Sequence, residues 1–119
     1  MGVKRRRRAS DAYPARHYYV YVVKLDGAIL NHRAFRDANP QHNPLKACVY
    51  VGMTGVAPEA RFAQHKRGYK SARFVERYGI KLLPHLYEQY NPMTYRQAVT
   101  QERSLAARLR RLGFGVWQH

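Results

Sequence analysis

Apolar and polar positions follow two rhythms along this chain, and the rhythms divide it into elements. Residues 17–25 (His-Tyr-Tyr-Val-Tyr-Val-Val-Lys-Leu) concentrate aromatic and β-branched side chains and predict a strand. Residues 47–52 (Ala-Cys-Val-Tyr-Val-Gly) predict a second strand, ended by Gly52 and the turn-prone pair Thr54-Gly55. The two are expected to pair antiparallel. Between them, residues 26–46 carry the turn signals Asp26-Gly27, Asn39-Pro40 and Asn43-Pro44. That stretch is long for a hairpin loop, and a short helix or strand is expected around 28–35.

The rhythm then changes to steps of three and four residues. Pro58 suits the first position of a helix and Glu59 the positive end of its dipole, predicting a helix over 58–66 that stops near Gly68. A second helix is expected from Ser71 as N-cap, with Phe74, Val75 and Tyr78 on one side and Gly79 at its end. Residues 80–87 predict a third strand, at an edge or irregular because Pro84 lies within it. The longest helix is predicted over 95–112, between Thr94 as N-cap and Gly113 as stop. Residues 114–117 predict a short final strand. This order of elements describes an α+β domain, a small sheet with helices against it.

Composition sets limits on that picture. A chain of 119 residues suits one domain, and 45% hydrophobic residues suffice for a core. The longest apolar run, residues 18–23, is six residues, far short of the ~20 a membrane helix needs. No secretory signal is visible, and no membrane association is expected. Cys48 is the single cysteine, which excludes a disulfide within the chain and a cysteine zinc cluster. It suits a reducing, intracellular setting, cytoplasmic or nucleoid-associated.

Charge changes the picture most. Lys and Arg number 22 against 7 Asp and Glu, a formal net charge of +15. Five of the basic residues, Lys4 and Arg5 to Arg8, crowd the start, so residues 1–12 read as a flexible basic arm ahead of a domain over 13–119. Without them, 17 basic groups still face 7 acidic ones. Such a field attracts polyanions, with phosphate contacts that weaken as salt rises. Nucleic acid is the expected partner. An anionic membrane surface is the alternative, but it needs a helix with a wide apolar face left free, and the helices here are committed to a core.

Three groups of residues carry possible chemistry. In the last helix Tyr95, Ala98, Val99, Leu105, Ala106 and Leu109 form one apolar stripe, and Glu102 falls inside it. Burying a carboxylate is costly without a partner, so Glu102 either bonds a nearby Arg or Tyr or holds a metal ion. Arg61 and His65, four residues apart, share a helical face. A guanidinium can grip a phosphate with two prongs and an imidazole can exchange a proton near neutral pH; equally, the pair can belong to a solvated basic face. Tyr19 and Tyr21 share one face of the first strand and Tyr50 lies in the second, positions that core tyrosines often fill. Lys66, Arg67, Lys70 and Arg73 follow the middle helix and suit contact with a nucleic-acid backbone, with Tyr69 available to stack on a base.

Taken in order, Tyr19-Val20-Tyr21, Tyr50-Val51-Gly52 before Thr54, Arg61-x-x-x-His65 and the isolated late Glu102 resemble the GIY-YIG nuclease superfamily. The likeness spans about residues 17–118, with Tyr19 standing at the first glycine of the family name. It implies a three-stranded antiparallel sheet flanked by helices and a metal-dependent endonuclease that hydrolyses phosphodiester bonds. It implies one divalent cation, Mg²⁺ or Mn²⁺, held mainly by Glu102. Arg61 matches the arginine that contacts the scissile phosphate, and His65 a position that assists proton transfer in several members. Tyr21 and Tyr50 match the two motif tyrosines, one of which orients or deprotonates the attacking water. DNA is favoured over RNA as substrate, with modest sequence specificity. A non-catalytic nucleic-acid-binding module on the same fold, RNA-binding included, is the alternative.

Overall fold

Branched and aromatic residues make the two central strands, and both faces of those strands are covered. In the computed structural model, which describes residues 15–118, β1 (Tyr19–Leu25) and β2 (Cys48–Thr54) pair antiparallel from Tyr19 opposite Thr54 to Leu25 opposite Cys48. Val20, Val22, Val23, Val49 and Val51 are fully buried, so side chains of both orientations lie inside. The basic arm expected over 1–12 lies outside the described residues.

Among the described residues the sheet has four strands in the order β3-β1-β2-β4 and is mixed, which corrects the expectation of three antiparallel strands. β3 (Gly79–Leu82) lies antiparallel to β1, and β4 (Gly115–Gln118) lies parallel to β2. The fourth strand depends on local chemistry near the end of the chain. Gly113, at φ +99°, takes the left-handed conformation that turns the chain out of the last helix. Gly115 then lets Phe35 close over the strand, since a Cβ there would stand 3.0 Å from the phenyl ring. Asn39 supplies the missing ladder partner at the edge: its side chain accepts from the Val116 N–H at 2.7 Å and donates to the Val116 carbonyl at 3.0 Å. Asn91 bonds the N–H and carbonyl of Val20 in the same way at the other end of the sheet.

Helices α1 (Arg33–Ala38), α2 (Pro58–Lys66), α3 (Arg73–Tyr78) and α4 (Tyr95–Arg111) pack around this sheet. The turn-rich 26–46 stretch contains α1 and a 3-10 turn (Gly27–Asn31) opened by the Asp26 side chain, which accepts from the Ala28 N–H. The third strand is shorter than the predicted 80–87. Pro84 has no N–H for the ladder and starts a 3-10 turn, Pro84–Leu86. The N-cap of α3 is Ala72, not Ser71, whose hydroxyl instead donates to Glu76 Oε1 at 2.7 Å. α4 carries the expected Thr94 cap with a full capping box to Gln97. Its buried stripe is Ala98, Glu102, Leu105, Ala106 and Leu109. Tyr95, expected in that stripe, is 59% exposed and meets Tyr18 edge-on.

Candidate active site

The two motif tyrosines are brought together by strand register and by a missing side chain. Tyr21 is opposite Gly52 and Tyr50 opposite Val23, so both phenols project from one face as diagonal neighbours. Their ring centroids are 6.1 Å apart. A Cβ at Gly52 would lie 2.8 Å from Tyr21 Cζ and Oη and 2.8 Å from Tyr50 Cε2. The glycine of the Tyr-Val-Gly tripeptide is therefore the space into which both rings lean. Thr54, two residues on, shapes the exit from β2. Its hydroxyl accepts from the Val56 N–H at 3.1 Å and turns the chain toward α2.

α2 adds His65 and Arg61. His65 is 1% exposed and hydrogen-bonded to Tyr21 Oη through Nε2 at 2.7 Å. Its Nδ1 accepts from the Ala72 backbone N–H at 3.0 Å. A backbone N–H only donates, so the neutral ring carries its proton on Nε2 and donates it to the Tyr21 oxygen. Interaction between the two phenols raises the Tyr21 pKa and lowers that of Tyr50. The bonds thus run in one direction, from Ala72 through His65 to Tyr21.

Arg61 belongs to the same cluster, and it also holds the loop that follows. It donates to Gln64 Oε1 at 3.1 Å and to the carbonyls of Tyr69 at 3.2 Å and Lys70 at 2.7 Å. Its positive charge favours ionisation of both Tyr21 and Tyr50. Lys66 is a second staple: its ammonium donates to the carbonyls of Glu76 at 2.9 Å and Gly79 at 3.0 Å. Its place among the expected backbone-contact residues is therefore shared with a structural role. Arg67, Tyr69, Lys70 and Arg73 are exposed as expected, with the Lys70 ammonium 5.6 Å from the Tyr69 ring centre.

Glu102 completes the cluster from α4. It is 7% exposed, and its charge opposes ionisation of Tyr50. Desolvation is the largest influence on both phenols; it pushes Tyr50 up to about 12 and Tyr21 further still. Both are therefore neutral phenols at neutral pH.

The cluster is not an open pocket. Tyr21, Tyr50 and His65 are 1%, 2% and 1% exposed. Two clefts lie elsewhere, one of about 640 Å³ beside the start of α4 and one of about 730 Å³ beside α3. Polar side chains that converge from four elements are packed inward together, and two of them, Arg61 and His65, bond to the backbone of the 67–72 loop. Sequence reasoning missed that loop's dependence on the site residues, and the roles of Asn39 and Asn91 at the sheet edges; side-chain mimicry of a strand leaves no periodic signal.

Among the described residues no three His, Cys, Asp or Glu side chains come together to form a metal cluster. Comparison with family models, with curated proteins and with solved structures yields no match.

Proposed function

We propose that this chain is a metal-dependent endonuclease of the GIY-YIG type, hydrolysing phosphodiester bonds in nucleic acid, with DNA favoured over RNA. One arrangement carries the reading: phenols from β1 and β2 lean together over Gly52, His65 bonds Tyr21, and the α2 guanidinium and α4 carboxylate lie close enough to bias their ionisation. These are the residues of the ordered motif series, spread over 82 positions from Tyr21 to Glu102. The net charge of +15 supplies the attraction for the substrate.

The donor set fits Mg²⁺ or Mn²⁺ better than zinc. Structural and catalytic zinc takes several histidine, cysteine or carboxylate ligands, and among the described residues no such group of three is gathered. Glu102 is the residue that would hold Mg²⁺ or Mn²⁺. Such an ion would supply positive charge to the phosphate and its leaving oxygen, and would offset the Glu102 charge that disfavours the Tyr50 phenolate. Arg61, oriented by its bonds to Gln64 and to the loop carbonyls, neutralises the phosphate. In hydrolysis the oxygen of water bonds to phosphorus, the 3′ oxygen leaves, and the water loses a proton. Tyr50, itself a neutral phenol, orients that water through its hydroxyl oxygen, and the proton passes to bulk solvent. Of the two phenols Tyr50 is the one held closer to its ordinary pKa, and the Arg61 charge favours its ionisation. His65, with Nδ1 occupied, orients Tyr21 as a donor and does not take its proton.

The burial of these side chains favours a second reading, a non-catalytic nucleic-acid-binding module, RNA-binding included, that grips its ligand through the exposed Arg67, Lys70 and Arg73. Glu102→Ala separates the two. A nuclease loses cleavage and keeps salt-sensitive binding. A binding module shows no cleavage in the wild type and no effect of metal on binding.

A further inference from the structure

The 26–46 stretch and α3 enclose a groove of about 730 Å³ that the chemistry above leaves unused. Its walls are aromatic. His32 lies 5.1 Å from Phe74 and 5.4 Å from Tyr78, centre to centre, and His32 Nε2 is 2.6 Å from the Tyr78 hydroxyl. These three rings are half-buried, whereas Phe35 behind them is wholly buried. Arg73 and Arg77, four apart on α3 and both exposed, also line the groove. The Arg77 guanidinium already sits 5.3 Å above the Tyr78 ring. Glu76 is the one acid among the described lining residues, and it accepts from Ser71.

Two links connect this groove to the cluster of phenols. Trp117, the single tryptophan, meets Phe74 edge-on at 5.0 Å and is the strand partner of Tyr50. Ala72, whose N–H holds His65, directly precedes Arg73.

We infer that this groove receives an unpaired base of the bound nucleic-acid strand, an inference that rests on the nucleic-acid reading above. A nucleotide is a flat aromatic ring joined to an anion. The groove offers both complements: rings and a guanidinium plane to stack on the base, and Arg73 and Arg77 to meet the flanking phosphates. Its volume is in the range of sites that enclose small ligands. Unpaired bases fit and paired ones do not, because a base inside a duplex keeps its faces covered by its neighbours.

The test compares single-stranded DNA with an abasic sugar–phosphate strand of the same length and charge, in metal-free buffer. Binding is read from anisotropy of the labelled strand and from Trp117 fluorescence. The base-bearing strand is expected to bind on the order of 10-fold tighter and to quench Trp117, as stacking of a base on aromatic side chains implies. His32→Ala and Arg77→Ala, each checked for an unchanged circular dichroism spectrum, are expected to shrink that difference. Arg77 is exposed, so its replacement leaves the fold intact. Equal affinity for the two strands overturns the groove assignment while the nuclease reading stands. A base preference that neither substitution alters overturns it as well. Binding of neither strand overturns both readings.

Discussion

The cluster around Tyr21 and the groove around Phe74 are built from the same kinds of residue, tyrosine, histidine and arginine, in opposite surroundings. In the cluster the rings are at most 2% exposed and their polar atoms bond one another in a fixed direction. In the groove the rings are half-buried and two guanidiniums face outward. Polar groups taken out of water need dedicated partners, which makes the cluster rigid and intolerant of change. The half-buried groove rings have one such bond, between His32 and Tyr78, and keep part of their surface in contact with solvent. The two regions are separated by one short loop, residues 67–72, that the cluster itself holds in place.

Substitutions in the cluster break this contrast first. Glu102→Gln keeps the shape and removes the charge, and phosphodiester cleavage is expected to fall by on the order of 10³-fold, as for loss of a main electrostatic stabiliser. Tyr50→Phe is expected to lower cleavage about 10²-fold, as for loss of a group that positions the attacking water. Tyr21→Phe acts through a different link. It leaves the buried His65 Nε2–H without its acceptor, so unfolding in denaturant is expected to show a cost of about 1–3 kcal/mol. Equal cleavage losses in the two phenylalanine variants, with no loss of stability, would contradict the assigned direction of the bonds.

Gly52→Ala tests the same cluster without removing a polar atom. The added methyl meets both phenol rings at 2.8 Å, and overpacking of this kind costs about 1–3 kcal/mol. Alkaline titration gives a further check. The Tyr50 pKa is raised from 10.0 in the unfolded chain to about 12, so from pH 10 upward the unfolded state releases a proton that the folded state keeps. Stability is therefore present below pH 10 and lost as pH rises toward 12. Thermal melts across that range should fall steeply in the wild type and less so in Tyr50→Phe. In the groove, by contrast, Arg77→Ala is expected to change stability by no more than about 0.5 kcal/mol, as for other exposed positions.

What the sequence conveyed follows the same division. The central strands, α2, and α4 with its Thr94 cap were legible because one periodicity governs each. Glu102 stood out because it interrupts an apolar stripe, and burial at that position bears out the interruption. The glycine of the second tripeptide could be read only as a strand end, since its role depends on two rings that meet over it from different strands. The groove was legible only in part: Phe74 and Tyr78 were expected on one side of a helix, but nothing in the sequence set that side against His32. It is made by α1 and α3, two six-residue helices, one of them inside a stretch dominated by turn residues. The parallel fourth strand was foreseen as a strand, but its direction is set by the turn at Gly113 and by the Asn39 side chain, 77 residues from Val116.

The most direct measurement is cleavage of plasmid, single-stranded and branched DNA by the wild-type chain, with Mg²⁺ or Mn²⁺ and with a chelator. Cleavage of at least one form, present with metal and abolished by the chelator, is the expected result. All three forms left intact with either metal would contradict a nuclease built on Glu102, Arg61 and the paired phenols.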